Sequence, residues 1–218
     1  MNDLATRLAA VQQGVEDAAA RAGRSADEIT TVVVTKFHPA QLVRDLHALG
    51  VRDVGESRHQ EAQPKAAELA DLDLAWHFVG QVQSNKARQV AAYAHTVHSF
   101  DRQSLVAPLE GSRVFIQVNL TDDPDRGGVQ PDGIVPLAEL ALAAGLDVLG
   151  LMAVAPLGAE PRAAFARVRE LSEELVRTAP TATALSMGMS GDYADAILEG
   201  ATHLRIGTAI TGNRPPQG

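Results

Sequence analysis

The sequence predicts a single-domain (β/α)8 barrel, the TIM-barrel class, preceded by an N-terminal helix. Strand-like and helix-like patterns alternate along the 218 residues, and such alternation requires a parallel sheet covered by helices. Several strand segments are apolar on both faces, as a barrel sheet beneath helices must be. An open doubly wound sheet is the main alternative. The repeat is even, however, and no GxGxxG motif follows the first strand, which favours the barrel.

The N-terminal segment has the spacing of an amphipathic helix. Four aliphatic residues recur at intervals of four, three and four: Leu4, Leu8, Val11 and Val15. Gly23 is a suitable helix stop. We therefore expect residues 1–23 to form a helix packed on the barrel and residues 213–218 to form a frayed tail. Residues 1–218 are expected to make one domain, because no linker rich in Pro, Gly or Ser divides them.

The barrel units follow in order. Eight strands are predicted at residues 31–36, 51–55, 75–80, 96–99, 113–119, 147–153, 183–187 and 202–207. Seven helical segments lie between them, at 40–49, 58–70, 85–94, 102–109, 132–144, 162–178 and 191–199. Eight such units in roughly 200 residues match the lower size limit of this barrel.

The composition excludes several classes of function. The net charge is −8, from 19 basic and 27 acidic residues, which gives no electrostatic footprint for nucleic acid or an anionic membrane. The absence of cysteine excludes disulfides, thiolate metal sites and a cysteine nucleophile. The histidines form no HExxH motif, so no metal site is expected. There is no signal-peptide pattern and no apolar run of membrane length, so a cytoplasmic location is expected.

The stretch TTVVVTKFHP, residues 30–39, ends a buried valine strand on a lysine. The chain has only Lys36, Lys65 and Lys86 against sixteen arginines (19 − 3 = 16). A lysine at a strand end can simply reach water, since exposed lysines are the norm. In a parallel barrel, however, the carboxyl ends of the strands form the active face. A lysine desolvated there becomes a nucleophilic amine, so Lys36 is the candidate for a Schiff base with an aldehyde.

The last two units carry the signs of a phosphate-binding cup. The segments concerned are LSMGMSGDYADAI, residues 185–197, and HLRIGTAITG, residues 203–212. Loops after strands 7 and 8 of a barrel commonly bind phosphate through backbone N–H groups and small hydroxyls. The residues that fit such a cup are Ser186, Ser190, Gly207 and Thr208. Each alone is also a normal turn residue, so the indication comes from two such loops together.

Arg205 lies between Leu204 and Ile206, so its side chain points to the opposite side of the strand from theirs. A buried arginine without a partner is costly. It must therefore face either a carboxylate in a structural ion pair or an acceptor on a ligand.

Taken together, these stretches resemble the pyridoxal 5′-phosphate (PLP) homeostasis proteins, a PLP-binding family with a barrel of the alanine racemase N-terminal type. The resemblance covers essentially the whole chain. The matching stretches are VVVTKFHP, VGESRHQE, WHFVGQVQSNK, HSFD, VNLTDDPDRGGV, GLMAVAP, LSMGMSGDYADAI and RIGTAITG.

The resemblance implies PLP as the cofactor and a role for each matching residue. Lys36 would form the internal aldimine, a covalent Schiff base with PLP. Ser190, Gly207 and Thr208 would hold the phosphate, and Arg205 would face the pyridine nitrogen. Because an arginine stays protonated, it keeps that nitrogen unprotonated and weakens the cofactor as an electron sink.

The resemblance also implies that His77 and Met152 lie on strand ends lining the pocket. Two positions depart from the family pattern. Ser57 stands where the family usually has an asparagine, so a contact beside the cofactor ring is shortened or lost. Thr211 stands where the family usually has an aromatic residue, which affects packing near the cofactor more than its attachment.

Three functions remain open: a carrier or regulator that holds PLP without turnover, an amino-acid racemase, and a Schiff-base aldolase. A racemase of this family needs a second base, a tyrosine from a β-rich second domain. No residues remain for that domain, and Tyr93 and Tyr193 fall in helical patterns. The aldolase alternative leaves Arg205 without a role. We therefore expect a non-enzymatic carrier, with at most weak racemase-like activity.

Several further expectations are less specific. PLP-requiring apoenzymes are the expected partners, and a monomer is expected because the second domain that carries the family's dimer interface is missing. The acidic loop at 121–128 is either solvated or a mobile flap over the barrel mouth. Lys86 and Arg88 are either solvated charges or a second, weaker site for a phosphate or an acidic partner.

Overall fold

The computed structural model describes residues 3–123 and 125–213, and these form a closed, eight-stranded parallel barrel. The strands are β1 (Thr30–Val34), β2 (Asp53–Glu56), β3 (Ala75–Phe78), β4 (Thr96–Phe100), β5 (Arg113–Gln117), β6 (Asp147–Met152), β7 (Ala184–Ser186) and β8 (His203–Ile206). Each strand pairs in parallel with the next, and β8 pairs with β1 to close the barrel. The predicted fold class is confirmed.

Helices surround the sheet. They are α1 (Asp3–Arg21), α2 (Ala40–Ala48), α3 (His59–Glu68), α4 (Ala87–Ala91), α5 (Ile134–Ala143), α6 (Pro161–Thr178), α7 (Tyr193–Leu198) and α8 (Thr208–Thr211). Short 3-10 turns lie at Ala26–Glu28, Ser84–Lys86, Gln103–Leu105, Ala107–Leu109 and Pro131–Gly133. Within the described ranges, no helix has the length and apolar character needed to cross a membrane.

The prediction of a helix at 102–109 is wrong. Two 3-10 turns stand there instead, and the second begins at Ala107. Pro108 lacks a backbone donor, and Gly111 adopts a left-handed conformation with φ 76°, so the segment is too short to pass beyond the unfavourable first turn of an α-helix.

The N-terminal helix packs on the last units of the barrel. Its aliphatic stripe is buried, and Arg7 Nε donates to the Ile210 carbonyl at 2.7 Å. A Cβ atom at Gly14 would lie 2.1 Å from the Tyr193 hydroxyl oxygen, so only glycine allows α1 to approach α7 this closely. Residues 214–218 of the expected tail lie outside the described residues.

The barrel interior contains several polar side chains. Strand register places the side chains of His77, His98, Ser186, His203 and Arg205 inside the barrel. The valines of β1 alternate, so that Val33 faces the helices while its neighbours face inward with Arg205. Aliphatic side chains therefore form the layer between sheet and helices, and the centre combines the polar groups with the inward valines of β1 and with Phe115, whose ring centre lies 4.7 Å from that of His98.

Candidate functional site

A cavity of about 530 Å³ opens at the carboxyl ends of the strands. Its lining comprises Val34, Lys36, Ser57, Val79, Gln81, Gln117, Met152, Val154, Met189, Ser190, Gly191, Arg205, Gly207 and Thr208. A volume of this size suits a small-molecule ligand. The cavity occupies the face on which barrels of this class bind their ligands.

Lys36 reaches the cavity from a tight turn rather than from the strand itself. β1 ends at Val34, and the His38 N–H donates to the Thr35 carbonyl at 3.1 Å, which closes a turn around Lys36 and Phe37. Phe37 adopts a left-handed φ of 68°, a conformation that costs about 1–3 kcal/mol in a residue other than glycine. The turn therefore holds Lys36 at the mouth under backbone strain.

The strained turn is fixed by groups on α3 and on its N-cap residue, Arg58. The Phe37 N–H donates to Glu61 Oε2 at 3.1 Å, and the Arg58 guanidinium lies 4.7 Å from the centre of the Phe37 ring. Lys36 Nζ lies 5.8 Å from the same ring centre. Lys36 is exposed and has no hydrogen-bond or ion-pair partner within residues 3–123 and 125–213. The Lys36 side chain is thus open to solvent at the mouth rather than desolvated by the cavity walls, and no other group competes for it within the described residues.

Beneath Lys36, the other nearby lysine is fully engaged. Lys65 Nζ forms a buried ion pair with Glu56 Oε1 and donates to the Thr35 carbonyl at 3.2 Å. The Thr35 hydroxyl also donates to Glu56 Oε1, at 2.8 Å. Burial raises the pKa of Glu56, and the Lys65 charge and hydrogen bond act in the opposite direction. Lys65 therefore supports the turn, and Lys36 is the lysine that lines the cavity.

An anion cup, formed by Ser190, Gly191, Gly207 and Thr208, makes one wall of the cavity. None of their four backbone N–H groups has an acceptor among the residues that the structure describes. The Ala209 N–H donates to Ser190 Oγ at 3.4 Å, which joins the loop after β7 to the start of α8. Unpaired N–H groups and small hydroxyls converging from two loops suit a phosphate group.

Arg205 forms the floor of the cavity. Its Nη1 donates to the Ser186 carbonyl and hydroxyl, both at 2.7 Å, and its Nη2 donates to the Ala153 carbonyl at 2.9 Å. Burial lowers the pKa of Arg205 to about 10, with Asp192 acting in the opposite direction, so the group stays charged at neutral pH. Three hydrogen bonds leave two of the five guanidinium donors without a partner in the described part of the chain.

The position expected for His77 needs correction. Its side chain lies inside the barrel below the cavity, where Nε2 bonds Asp53 Oδ1 at 2.9 Å and Nδ1 bonds His98 Nε2 at 2.8 Å. Both ring nitrogens are therefore occupied, and His77 is absent from the cavity lining. The residues of this unit that line the cavity are Val79 and Gln81, which follow β3.

The other predicted site residues lie at or directly beneath the cavity. Those in its lining are Lys36, Ser57, Met152, Ser190, Arg205, Gly207 and Thr208. Ser186 is absent from the lining and hydrogen-bonds to Arg205, which forms the cavity floor. Thr211 is buried in α8, where its hydroxyl donates to the Gly207 carbonyl at 3.2 Å.

Sequence reasoning missed two glutamines in the lining. Gln81 Nε2 donates to Gln117 Oε1 at 3.1 Å, and Gln117 Nε2 donates to the Gly127 carbonyl at 2.9 Å. Gln117 ends β5 and Gln81 follows β3, so a polar residue at the end of a strand was the available sequence signal for each. They join the mouth to the loop at 121–128, whose described residues are also held by Asn119, because its Nδ2 donates to the Asp123 and Arg126 carbonyls.

The chemistry available in the lining is limited. Its titratable side chains are Lys36 and Arg205. Tyr93 stacks on His59 between α3 and α4, and burial raises its pKa, while the Tyr193 hydroxyl packs against α1. Residues 3–123 and 125–213 contain no cluster of three side chains suited to a metal ion. The cavity can thus bind an anion and an aldehyde, but it offers only one amine.

The chain matches a known family and known proteins along almost its whole length. The family described as "Alanine racemase, N-terminal domain" matches residues 6–215. The pyridoxal phosphate homeostasis protein of Pseudomonas aeruginosa is 42% identical, covering 98% of this chain and 97% of the relative. The protein of the same name from Mycobacterium leprae is 39% identical, covering 97% and 93% respectively.

Solved structures give the same result. PipY of Synechococcus elongatus, solved with PLP bound, has a TM-score of 0.84 and 36% identity, covering 96% of this chain and all of PipY. An alanine racemase of Clostridium difficile has a TM-score of 0.73 at 14% identity and is matched over 58% of its length, which reflects a shared barrel. By full-length identity to these relatives, the chain belongs to the pyridoxal phosphate homeostasis protein family.

Proposed function

We propose that this protein binds PLP and serves intracellular PLP homeostasis, holding the cofactor covalently through the amine of Lys36 without major catalytic turnover. One observation carries the proposal: a free lysine, an anion cup and a buried arginine surround one cavity of about 530 Å³. When bound, PLP supplies an aldehyde that reacts with amines and a pyridine ring that draws electrons.

The donor groups fit the chemical groups of PLP. The unpaired N–H groups of the cup formed by 190–191 and 207–208 would hold the phosphate, with the Ser190 and Thr208 hydroxyls beside them. The two free donors of Arg205 would face the ring nitrogen. Met152 would pack against the ring. Ser57 has no side-chain hydrogen bond within the described residues, and its short hydroxyl would reach the ring less closely than an amide.

The same lining supports a carrier over a racemase. Racemisation needs one base on each face of the substrate carbon, and Lys36 is the one general base that the described lining provides. Arg205 donates rather than accepts, so it favours an unprotonated ring nitrogen and a weak electron sink. Both features disfavour the removal of a proton from a bound amino acid.

We further propose that the protein acts in the cytoplasm as a monomer and delivers PLP to PLP-requiring apoenzymes. Exposure of both Lys36 and Thr208 at the cavity mouth supports transfer, because a recipient's lysine could reach the bound cofactor. Light scattering of the purified protein should give the mass of one chain, 23.0 kDa. A mass twice as large would contradict the monomer.

Replacing Thr208 with valine should weaken PLP binding by about 1.5–3 kcal/mol, because one hydroxyl donor to a charged phosphate is lost while the shape is kept. Equilibrium titration would measure the change. Thr183→Val is the matched control, since Thr183 is exposed at the opposite end of the barrel before β7. Pyridoxal, which lacks the phosphate, should bind far more weakly than PLP. Equal affinities for PLP and pyridoxal would show that the loops after β7 and β8 do not bind the phosphate.

The PLP-loaded protein should not racemise alanine at a useful rate. Loss of one positioned base typically costs ~10²–10⁴ in rate, and the described lining lacks the second base altogether. Amino acids should change the absorption spectrum slowly while the optical rotation of L-alanine stays constant. Sustained racemase turnover by a pure sample would overturn the carrier proposal while leaving PLP binding intact.

A further inference from the structure

A continuous line of hydrogen bonds crosses the barrel interior from the cavity floor to the opposite end of the sheet. Arg205 Nη1 bonds Ser186 Oγ at 2.7 Å, and Ser186 Oγ bonds His98 Nδ1 at 2.8 Å. His98 Nε2 then bonds His77 Nδ1 at 2.8 Å, and His77 Nε2 bonds Asp53 Oδ1 at 2.9 Å. We name these five residues the interior chain.

The two ends of the interior chain fix its direction. A guanidinium can only donate and an ionised carboxylate can only accept. If Arg205 donates to the Ser186 oxygen, the hydroxyl is free to donate to His98 Nδ1. His98 must then carry its proton on Nε2 and donate to His77 Nδ1, and His77 must carry its proton on Nε2 and donate to Asp53. Every bond thus points from the cavity towards the carboxylate.

An arrangement in which His77 carries a proton on both ring nitrogens is unfavourable for two reasons. A doubly protonated His77 would donate to both Asp53 and His98, and His98 would then donate to Ser186. The Ser186 hydroxyl would accept from both neighbours, so its hydrogen would have no acceptor within the interior chain. Double protonation of His77 would also add a positive charge to an interior that already contains Arg205. Burial lowers the pKa of His98 well below its usual value, and the Arg205 charge acts in the same direction. Burial likewise lowers the pKa of His203, which lies beside both rings, to about 4.

Arg205 needs such an arrangement because its direct contacts are all neutral. The guanidinium is buried and bonds two carbonyls and one hydroxyl, whereas a buried charge ordinarily requires a carboxylate. Asp192 acts on the Arg205 charge without a hydrogen bond to it, and the interior chain ends on a second carboxylate, Asp53. Aligned hydrogen bonds polarise one another in a medium of low dielectric. Asp53 opens β2 and lines a cleft at the amino end of the barrel, roughly 13 Å along the chain from Ser57 in the cavity lining.

We propose that Asp53, His77, His98 and Ser186 are positioning residues that hold the Arg205 guanidinium in the orientation needed at the cofactor ring. The inference rests on the proposed PLP-binding function, but it concerns residues that do not contact the cavity, Ser186 included. The buried histidines His77 and His98, which do not line the cavity, thereby have a role in cofactor binding. Asp53, at the far end of the barrel, likewise becomes a determinant of cofactor binding.

Nitrogen-15 NMR of the ligand-free protein tests the direction without any cofactor. Two-bond proton–nitrogen correlations distinguish the Nε2–H tautomer, the Nδ1–H tautomer and the charged imidazolium of each histidine. At neutral pH, His77 and His98 should both be neutral with the proton on Nε2. An Nδ1–H tautomer or an imidazolium at either residue would overturn the interior chain, whether or not PLP binds.

A double-mutant cycle tests the coupling to Arg205. Asp53→Leu should weaken PLP binding roughly 3-fold to 30-fold, the range expected for coupling through a contiguous network. Asp53→Asn should recover most of that loss, because its amide oxygen still accepts from His77. In an Arg205→Met background, Asp53→Leu should have no further effect.

The control is His95→Gln, which changes an exposed histidine whose ring centre lies 6.2 Å from that of His77 but which stands outside the interior chain. PLP affinity should not change in this variant. If Asp53→Leu weakened PLP binding equally with and without Arg205, the interior chain would stabilise the barrel without acting through Arg205, and the proposal would be wrong. Failure of the unaltered protein to bind PLP would instead remove the proposed function, and the NMR result would still decide the tautomers.

Discussion

Lys36→Ala should abolish the visible absorption band of the PLP-loaded protein while leaving the fold intact. The band requires a covalent bond between the aldehyde and an amine, and Lys36 is the amine in the cavity lining. The side chain is exposed in a turn and contributes little to the core, so the free energy of unfolding should change by less than about 0.5 kcal/mol. Absorption spectra and urea unfolding would measure the two effects.

Lys86→Ala is the matched control for that experiment. Lys86 follows β3 in a short 3-10 turn and is absent from the cavity lining, so this variant should keep both the band and the wild-type stability. A Lys36→Ala protein that retained the full band would show that another amine carries the cofactor.

Lys65→Met should destabilise the protein by about 3–5 kcal/mol, because it leaves the Glu56 carboxylate buried without its ion-pair partner. The side chains of Lys65 and Glu56 are 8% and 1% exposed, and Glu56 Oε2 already lacks a hydrogen bond within the described residues. Thermal and denaturant unfolding would give the change. Lys86→Met should shift stability by less than about 0.5 kcal/mol.

The loss in the Lys65→Met variant should depend on pH. Burial raises the pKa of Glu56, and removal of Lys65 removes the main influence that lowers it. A group whose pKa is raised in the folded state favours folding most at low pH and loses that contribution as pH rises through the raised value. The variant should therefore lie closer to wild type at pH 5 than at pH 8. A loss independent of pH would indicate a packing defect rather than an unpaired carboxylate.

Much of the site follows from the sequence because a barrel brings the carboxyl ends of its strands together. That rule predicts that Lys36 lies close to Ser190, Gly207 and Thr208, and the structure brings all four to one cavity. The alternation of Leu204, Arg205 and Ile206 likewise predicted that Arg205 points to the opposite side of the strand from its two neighbours, and the structure places it inside the barrel.

What the sequence did not indicate depends on register and on contacts between units. His77 lies below the cavity because β3 ends at Phe78 and the cavity lining begins at Val79. Sequence propensity does not locate the end of a strand this closely. The Lys65–Glu56 pair joins α3 to the end of β2, and no spacing rule predicts such a pairing. The interior chain links β2, β3, β4, β7 and β8, so it exists only once the barrel is closed.

Borohydride reduction of the PLP-loaded protein, followed by peptide mapping, tests the central claim most directly. Reduction makes the bond between cofactor and amine permanent, so the modified lysine can be read from the peptide masses. The chain has Lys36, Lys65 and Lys86 as its lysines, of which Lys65 is held in a buried ion pair and Lys86 lies away from the cavity lining. We expect a phosphopyridoxyl group on Lys36 alone. The same group found only on Lys65 or Lys86 would contradict the account.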